Sequence, residues 1–258
     1  VVRIPAATIA PLRSIAETYL VQEFSESMSQ EFQDANAEQS KGAPQRAEGH
    51  AQKSIPSFAR ADGLNAAFPS SMSWHWASDA ATLEVFPREQ VLKFLGDDFA
   101  LVAASLVVAN GDCMENVSKF HVDFGPPKIP RGVAATALMP LFPLRFPDHQ
   151  GNLEIRPWDA ANEIATYQYQ EGRAVVFDGK LSHRTQPFCL ESFARKSTKL
   201  RVLASMSFAW LPSHAPWRET VKQVVSGYGA PVLEARKKHG CHALWFRRPA
   251  ALPSFLQI

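Results

Sequence analysis

Cysteine is scarce in this chain: Cys113, Cys189 and Cys241 are its only three, far apart and in no CxxC pair. An odd, scattered set excludes a disulfide framework and the paired spacing of a zinc knuckle, and it points to a reducing, cytoplasmic compartment. Long apolar runs are missing as well. They break within about ten residues, short of the roughly 20 that a bilayer-spanning helix needs, so no membrane segment is expected. Excess charge is absent too, with 27 Lys and Arg against 25 Asp and Glu and a formal net charge of +2. Near-neutrality of that kind gives no footing for a nucleic-acid or membrane-surface partner. The first residue is Val rather than Met, so a targeting peptide removed ahead of it would leave no trace.

What is present is a globular balance, 46% hydrophobic and 20% charged over 258 residues. That length buries a sizeable core as one large domain with appendages. Residues from about Ile4 to Gln39 carry apolar side chains at helical spacing, among them Ile9, Leu12, Ile15, Tyr19 and Leu20. The polar stretch 40–54 then reads as a loop or linker. PREQVLKFLGDD, residues 87–98, predicts a helix ended by Gly96, with Val91, Leu92 and Leu95 on one face. Short apolar runs separated by turn residues follow: LVAASLVVAN, GVAATALMPLFPL, ATYQYQ, GRAVVFDG and KLRVLASMSFAW. Such runs argue for a β-sandwich or barrel-like core. PWRETVKQVVSGYG and LEARKKHG return to helix, the first opened by a proline in its first turn and the second basic toward its end. The expected class is α+β with a mainly β core. Residues 1–70 form a helical and loop region packing on it, 71–212 the core, and 213–258 a helical extension.

SKFHVDFG places His121 and Asp123 two residues apart. In a strand, i and i+2 share a face, so an imidazole and a carboxylate would project side by side, with Phe120, Val122 and Phe124 turned into packing. FDGKLSHRTQPF supplies His183 just past an apolar strand. Two imidazoles and one carboxylate on one side of a metal make the facial triad of non-haem iron(II) oxygenases, which leaves positions open for co-substrate and dioxygen. An HxD pair alone is weak evidence, and Asp123 serving only to orient His121 is the bland alternative. In KLRVLASMSFAW one face is apolar, whereas Lys199, Arg201, Leu203, Ser205 and Ser207 share the other. A dicarboxylate chelating iron at one end needs a cation at its other, and the planar Arg fork suits a carboxylate.

Together these segments resemble the core of the iron(II)/2-oxoglutarate-dependent dioxygenases. The resemblance runs from about Leu101 to Trp210, through SKFHVDFG, GNLEI, GRAVVFDGKLSHRTQPF and RVLASMSF. GNLEI followed by YQYQEGRAVVFDG is similar to the prolyl-hydroxylase-like members. The resemblance implies a double-stranded β-helix (jelly roll) flanked by N- and C-terminal helices. It implies iron(II) held by His121, Asp123 and His183, 2-oxoglutarate as co-substrate anchored by Arg201, and ascorbate as reductant. It implies oxidation of a C–H bond with release of succinate and CO2, and an acidic ligand at Asp123 favours hydroxylation over halogenation. Arg195 competes with Arg201 for the anchoring role, since the loop after His183 is long and the final strand has no RxS pair. Ser205, Tyr167 and Tyr169 are further candidates to reach the co-substrate, with core packing the alternative for the tyrosines.

For the substrate, Trp74 and Trp76 are candidate contacts that packing also explains. Lys128 and Arg131 lie in the proline-rich stretch GPPKIPRG after Asp123. There a loop receiving an anionic substrate and a plain solvated loop are equal readings. A small molecule, free amino acid or peptidyl side chain is the expected substrate class. Competing functions are a cupin-like metal dioxygenase without 2-oxoglutarate, which usually carries a further His near HxD, and a non-catalytic β-core binding module.

Overall fold

In the computed structural model, the described residues are 1–23, 58–61, 72–77, 79–110, 113–114, 119–142, 151–159, 163–186, 188–189 and 200–227. They form a mainly antiparallel β core with few helices. The strands are β1 (Val2–Arg3), β2 (Phe58–Ala61), β3 (Met72–Ala77), β4 (Phe99–Asn110), β5 (Cys113–Met114) and β6 (Ala134–Pro140). They continue with β7 (Leu153–Arg156), β8 (Ala165–Tyr167), β9 (Arg173–Asp178), β10 (Ser182–Thr185), β11 (Phe188–Cys189) and β12 (Leu200–Trp210). The helices are α1 (Ala6–Glu23), α2 (Ala80–Glu84), α3 (Arg88–Leu95) and α4 (Arg218–Gly227). None of them is long and apolar enough to cross a membrane.

A seven-stranded sheet runs in the order β1-β9-β6-β12-β4-β3-β2, and a three-stranded sheet in the order β10-β7-β8. Strand β4 is apolar along most of its length, Ser105 and Asn110 excepted, because both of its faces are covered. On one face Val102, Ala104, Leu106 and Val108 join Val202, Ala204, Met206 and Phe208 of β12 under Leu12, Ala16 and Leu20 of α1 and Val91 and Leu95 of α3. On the other, Val107 and Ala109 meet Leu203 of β12, Val175 and Phe177 of β9, and Leu153 and Ile155 of the smaller sheet. The alternation in β12 decides this sorting, since a slip of one residue would drive Arg201 into the helix-covered core. Ahead of residue 71, β1 and β2 are the edge strands of the large sheet.

Several sequence expectations change at element ends. Helix α1 starts at Ala6, after Ile4 has bonded to the Gly172 carbonyl at 2.7 Å, and residues 24–39 lie outside the described set. Helix α3 ends as expected, with Gly96 at φ +103, a value that L side chains rarely adopt, and its N–H on the Leu92 carbonyl. Strand β8 covers only Ala165–Tyr167, so Tyr169 has left the strand and is buried while Tyr167 stays 40% exposed. The HxD segment is not a regular strand. His121 forms an isolated bridge, and Asp123 already stands in a turn. Gly125, Pro126 and Pro127 come next, and prolines have no N–H with which to extend a ladder. Phe124 is buried as expected, but Phe120 lies under two guanidinium groups. The 40–54 stretch and LEARKKHG fall outside the described residues.

Candidate metal centre

His121 and His183 exchange both backbone hydrogen bonds, at 3.0 and 2.9 Å, across an antiparallel bridge. Directly opposite residues share a face, so the two imidazoles lie with centroids 4.4 Å apart. His183 is fixed from its other side by β10, which pairs it with Ile155 of β7, and Phe177 meets its ring edge-on at 4.7 Å. Asp123 follows one turn later, with Oδ1 3.9 Å from His121 Nε2 and 3.6 Å from His183 Nε2. One ligand atom from each residue falls within 4.8 Å of the others.

The remaining polar atoms are already engaged. His121 Nδ1 faces the Lys119 carbonyl and His183 Nδ1 the Leu181 carbonyl, both at 3.0 Å. A carbonyl only accepts, so each Nδ1 carries the hydrogen and each Nε2 keeps its lone pair for a metal. On the carboxylate, Oδ2 accepts the Thr136 hydroxyl at 2.5 Å, leaving Oδ1 toward the imidazoles. Burial lowers the His121 pKa, and the neighbouring His183 lowers it further, against Asp123 and the Lys119 carbonyl, which raise it. The neutral ring is the form that binds a cation. This donor set fits a divalent metal with open positions.

A latch closes the site from behind. Both Asp178 oxygens accept backbone N–H groups, Oδ2 from Gly132 at 2.5 Å and Oδ1 from Lys180 at 2.7 Å. The Phe124 N–H bonds to the Gly179 carbonyl at 2.9 Å, and Lys180 Nζ reaches the Pro126 carbonyl at 3.0 Å. The turn leading into His183 is thereby stitched to the loop that follows Asp123. Burial holds the Asp178 carboxyl above its ordinary value, against the two N–H donors and the charges of Lys180 and Arg131. Sequence reading missed Thr136 and Asp178, since neither stands in a recognisable motif.

Strand β12 carries Arg201 on the same face as Leu203, that is, toward the space between the sheets. Arg201 is 3% exposed, and its guanidinium carbon stands 5.0 Å from the Tyr169 ring centroid. Burial pushes the Tyr169 hydroxyl up to about 12, against the pull of Arg201. Burial likewise lowers the Arg201 pKa, with Tyr169 opposing it. Ser205, half-buried, pairs with Ser105 and Leu138 across the sheet.

Trp74 and Trp76 pair with Val107 and Ser105 and share their face, while His75 turns the other way between Tyr19 and Ser73. Lys128 and Arg131 are exposed in the loop after Asp123, with Arg131 4.2 Å over the Trp158 ring. Tyr167 lines a separate shallow cavity of about 200 Å³ with Val1, Gln168 and Arg173. Arg195 lies outside the described residues.

No family model matches the chain, and no curated protein matches it. Among solved structures it is similar to a prolyl-4-hydroxylase from Pseudomonas putida, at 16% identity and a TM-score of 0.36 over 54% of this chain and 71% of that one. It is similar to EvdMO1, at 15% identity and a TM-score of 0.46 over 81% of this chain and 46% of that one. A third is HygX from Streptomyces hygroscopicus, solved with nickel, 2-oxoglutarate and hygromycin B bound, at 14% identity and a TM-score of 0.38 over 70% of this chain and 78% of that one. Within this chain, His121, Asp123 and His183 form a group that fits the HxD…H motif of iron(II)/2-oxoglutarate oxygenases.

Proposed function

We propose that the protein is an iron(II)- and 2-oxoglutarate-dependent dioxygenase hydroxylating a C–H bond of a small molecule or amino-acid side chain. The observation that carries this reading is the convergence of His121 Nε2, His183 Nε2 and Asp123 Oδ1, with the other polar atom of each residue held by a hydrogen bond. The two opposed sheets support a double-stranded β-helix (jelly roll), with the metal group between HxD and β10.

In this reading His121, Asp123 and His183 hold the iron on one side, leaving the opposite positions open. When bound, the metal supplies the oxidising chemistry by which dioxygen and 2-oxoglutarate convert C–H to C–OH, releasing succinate and CO2. Arg201 receives the far carboxylate of 2-oxoglutarate, since a buried planar guanidinium binds a carboxylate through two parallel N–H bonds. Tyr169 stays protonated at working pH, with its ring beside that cation. Leu203 and Ser205 share the Arg201 face of β12 and follow it along the strand toward Ser207, which pairs with Thr136 beside Asp123.

The test is release of labelled CO2 from 2-oxoglutarate carboxyl-labelled at C1, by protein reconstituted with iron(II) without oxygen and then exposed to it. Iron-dependent release that vanishes in His183→Ala is the expected result. Iron uptake with no 2-oxoglutarate consumption contradicts the co-substrate assignment and favours a cupin-like dioxygenase.

A further inference from the structure

The metal-bearing segments are surrounded by cations. Lys128 and Arg131 lie in the loop after Asp123, and Lys180 and Arg184 flank His183 in the chain. Arg156 stands across from Ser182, one rung from the His183–Ile155 pair. Two of these guanidinium groups stand over aromatic faces, Arg156 with its central carbon 3.7 Å from the Phe120 centroid and Arg131 4.2 Å from the Trp158 centroid. Arg156 and Trp158 are two residues apart at the end of β7, so the two stacks form one collar.

The nearby carboxylates offset it only in part, Asp178 feeling the charges of Lys180 and Arg131 without a salt bridge to either. Glu154 pairs with Arg184 at 2.6 Å, and both Asp178 oxygens accept backbone N–H groups. Asp159 is exposed beside Trp158. Among the described residues neither Arg131 nor Arg156 has an ion-pair partner, and both are exposed. A guanidinium held over a ring loses less freedom when it binds, and its planar fork matches a carboxylate or phosphate. The whole chain carries a net charge of only +2, so this is a local concentration of charge rather than a general basicity.

We infer that the primary substrate carries an oxyanion group, phosphate or carboxylate, which Arg131 and Arg156 receive outside the metal cavity while the reacting carbon enters it. The inference rests on the oxygenase reading above and adds the class of substrate. Both stacks belong to one strand end, Arg156 and Trp158 being two residues apart, which suits a small anion rather than an extended polyanion.

The experiment is calorimetric titration of the full, metal-free chain at low salt with pyrophosphate and with citrate. Saturable binding of either probe is expected. Arg131→Gln and Arg156→Gln each weaken it about tenfold, the loss of one charge-assisted pair, whereas Arg88→Gln on α3 leaves it unchanged. Arg156→Lys, which keeps the charge but not the fork, stays weaker than wild type. Unchanged binding in both collar variants, or an equal loss in Arg88→Gln, overturns the inference. So does a thymidine oligonucleotide that binds more tightly than either probe and displaces it. Iron(II) uptake is measured on the same proteins. Iron without anion binding refutes the collar and spares the metal reading, while anion binding without iron does the reverse.

Discussion

The Thr136 hydroxyl donates to Asp123 Oδ2 at 2.5 Å, joining the large sheet to the turn that carries the acidic metal ligand. Thr136 is 2% exposed on β6, so the bond is shielded from competing water. Thr136→Val keeps the shape and removes the donor. Outer-sphere partners of this kind are worth about 10–100-fold in metal affinity, so iron(II) should bind at least tenfold more weakly, while Thr136→Ser stays near wild type. Anaerobic competition against a chromophoric chelator measures this, with circular dichroism as the check on folding.

Gly179 has no room for a side chain. A Cβ there would stand 2.4 Å from the ring of Phe124, which is buried beneath it. Gly179→Ala should destabilise the fold by roughly 1–3 kcal/mol, the usual range for overpacking, and lower Tm by several degrees. Adding Phe124→Leu should restore part of that loss, because the two positions share one space. A thermal melt of the single and double variants gives the answer.

Asp178→Ala leaves the Gly132 and Lys180 N–H groups without acceptors behind the site. An orphaned buried donor costs about 1–3 kcal/mol, so this variant should lose stability and iron affinity together. Asp178→Asn keeps one carbonyl acceptor and should fall between. Denaturant unfolding of the three proteins orders them.

Tyr169 should ionise late, near pH 12. The folded value is raised above the ordinary 10.0. Its contribution to stability is therefore fully present below about pH 10 and is lost as pH climbs toward 12. Phenolate absorbance should show a late step that Tyr169→Phe removes. That variant should also weaken 2-oxoglutarate binding without changing iron(II) affinity.

Much of the core was legible because alternation is a local signal. Val202, Ala204, Met206 and Phe208 sort to one core and leave Arg201 and Leu203 facing the other, as the period of two requires. The HxD and distal His were legible as residue types. Their geometry was misread, because Gly125, Pro126 and Pro127 end the strand expected around His121. Tyr167 and Tyr169 share a strand period, yet β8 stops at Tyr167 and separates them. Thr136, Asp178 and the rings under Arg131 and Arg156 were not legible, since each acts through a partner distant in the chain.

The central claim is tested most directly by anaerobic titration of the purified protein with iron(II) and then 2-oxoglutarate, followed in the visible region. The account predicts the weak charge-transfer band of a chelated 2-oxoglutarate complex, absent in His183→Ala and weakened in Arg201→Ala. Iron binding with no such band contradicts the co-substrate assignment, and failure to bind iron at all contradicts the metal centre itself.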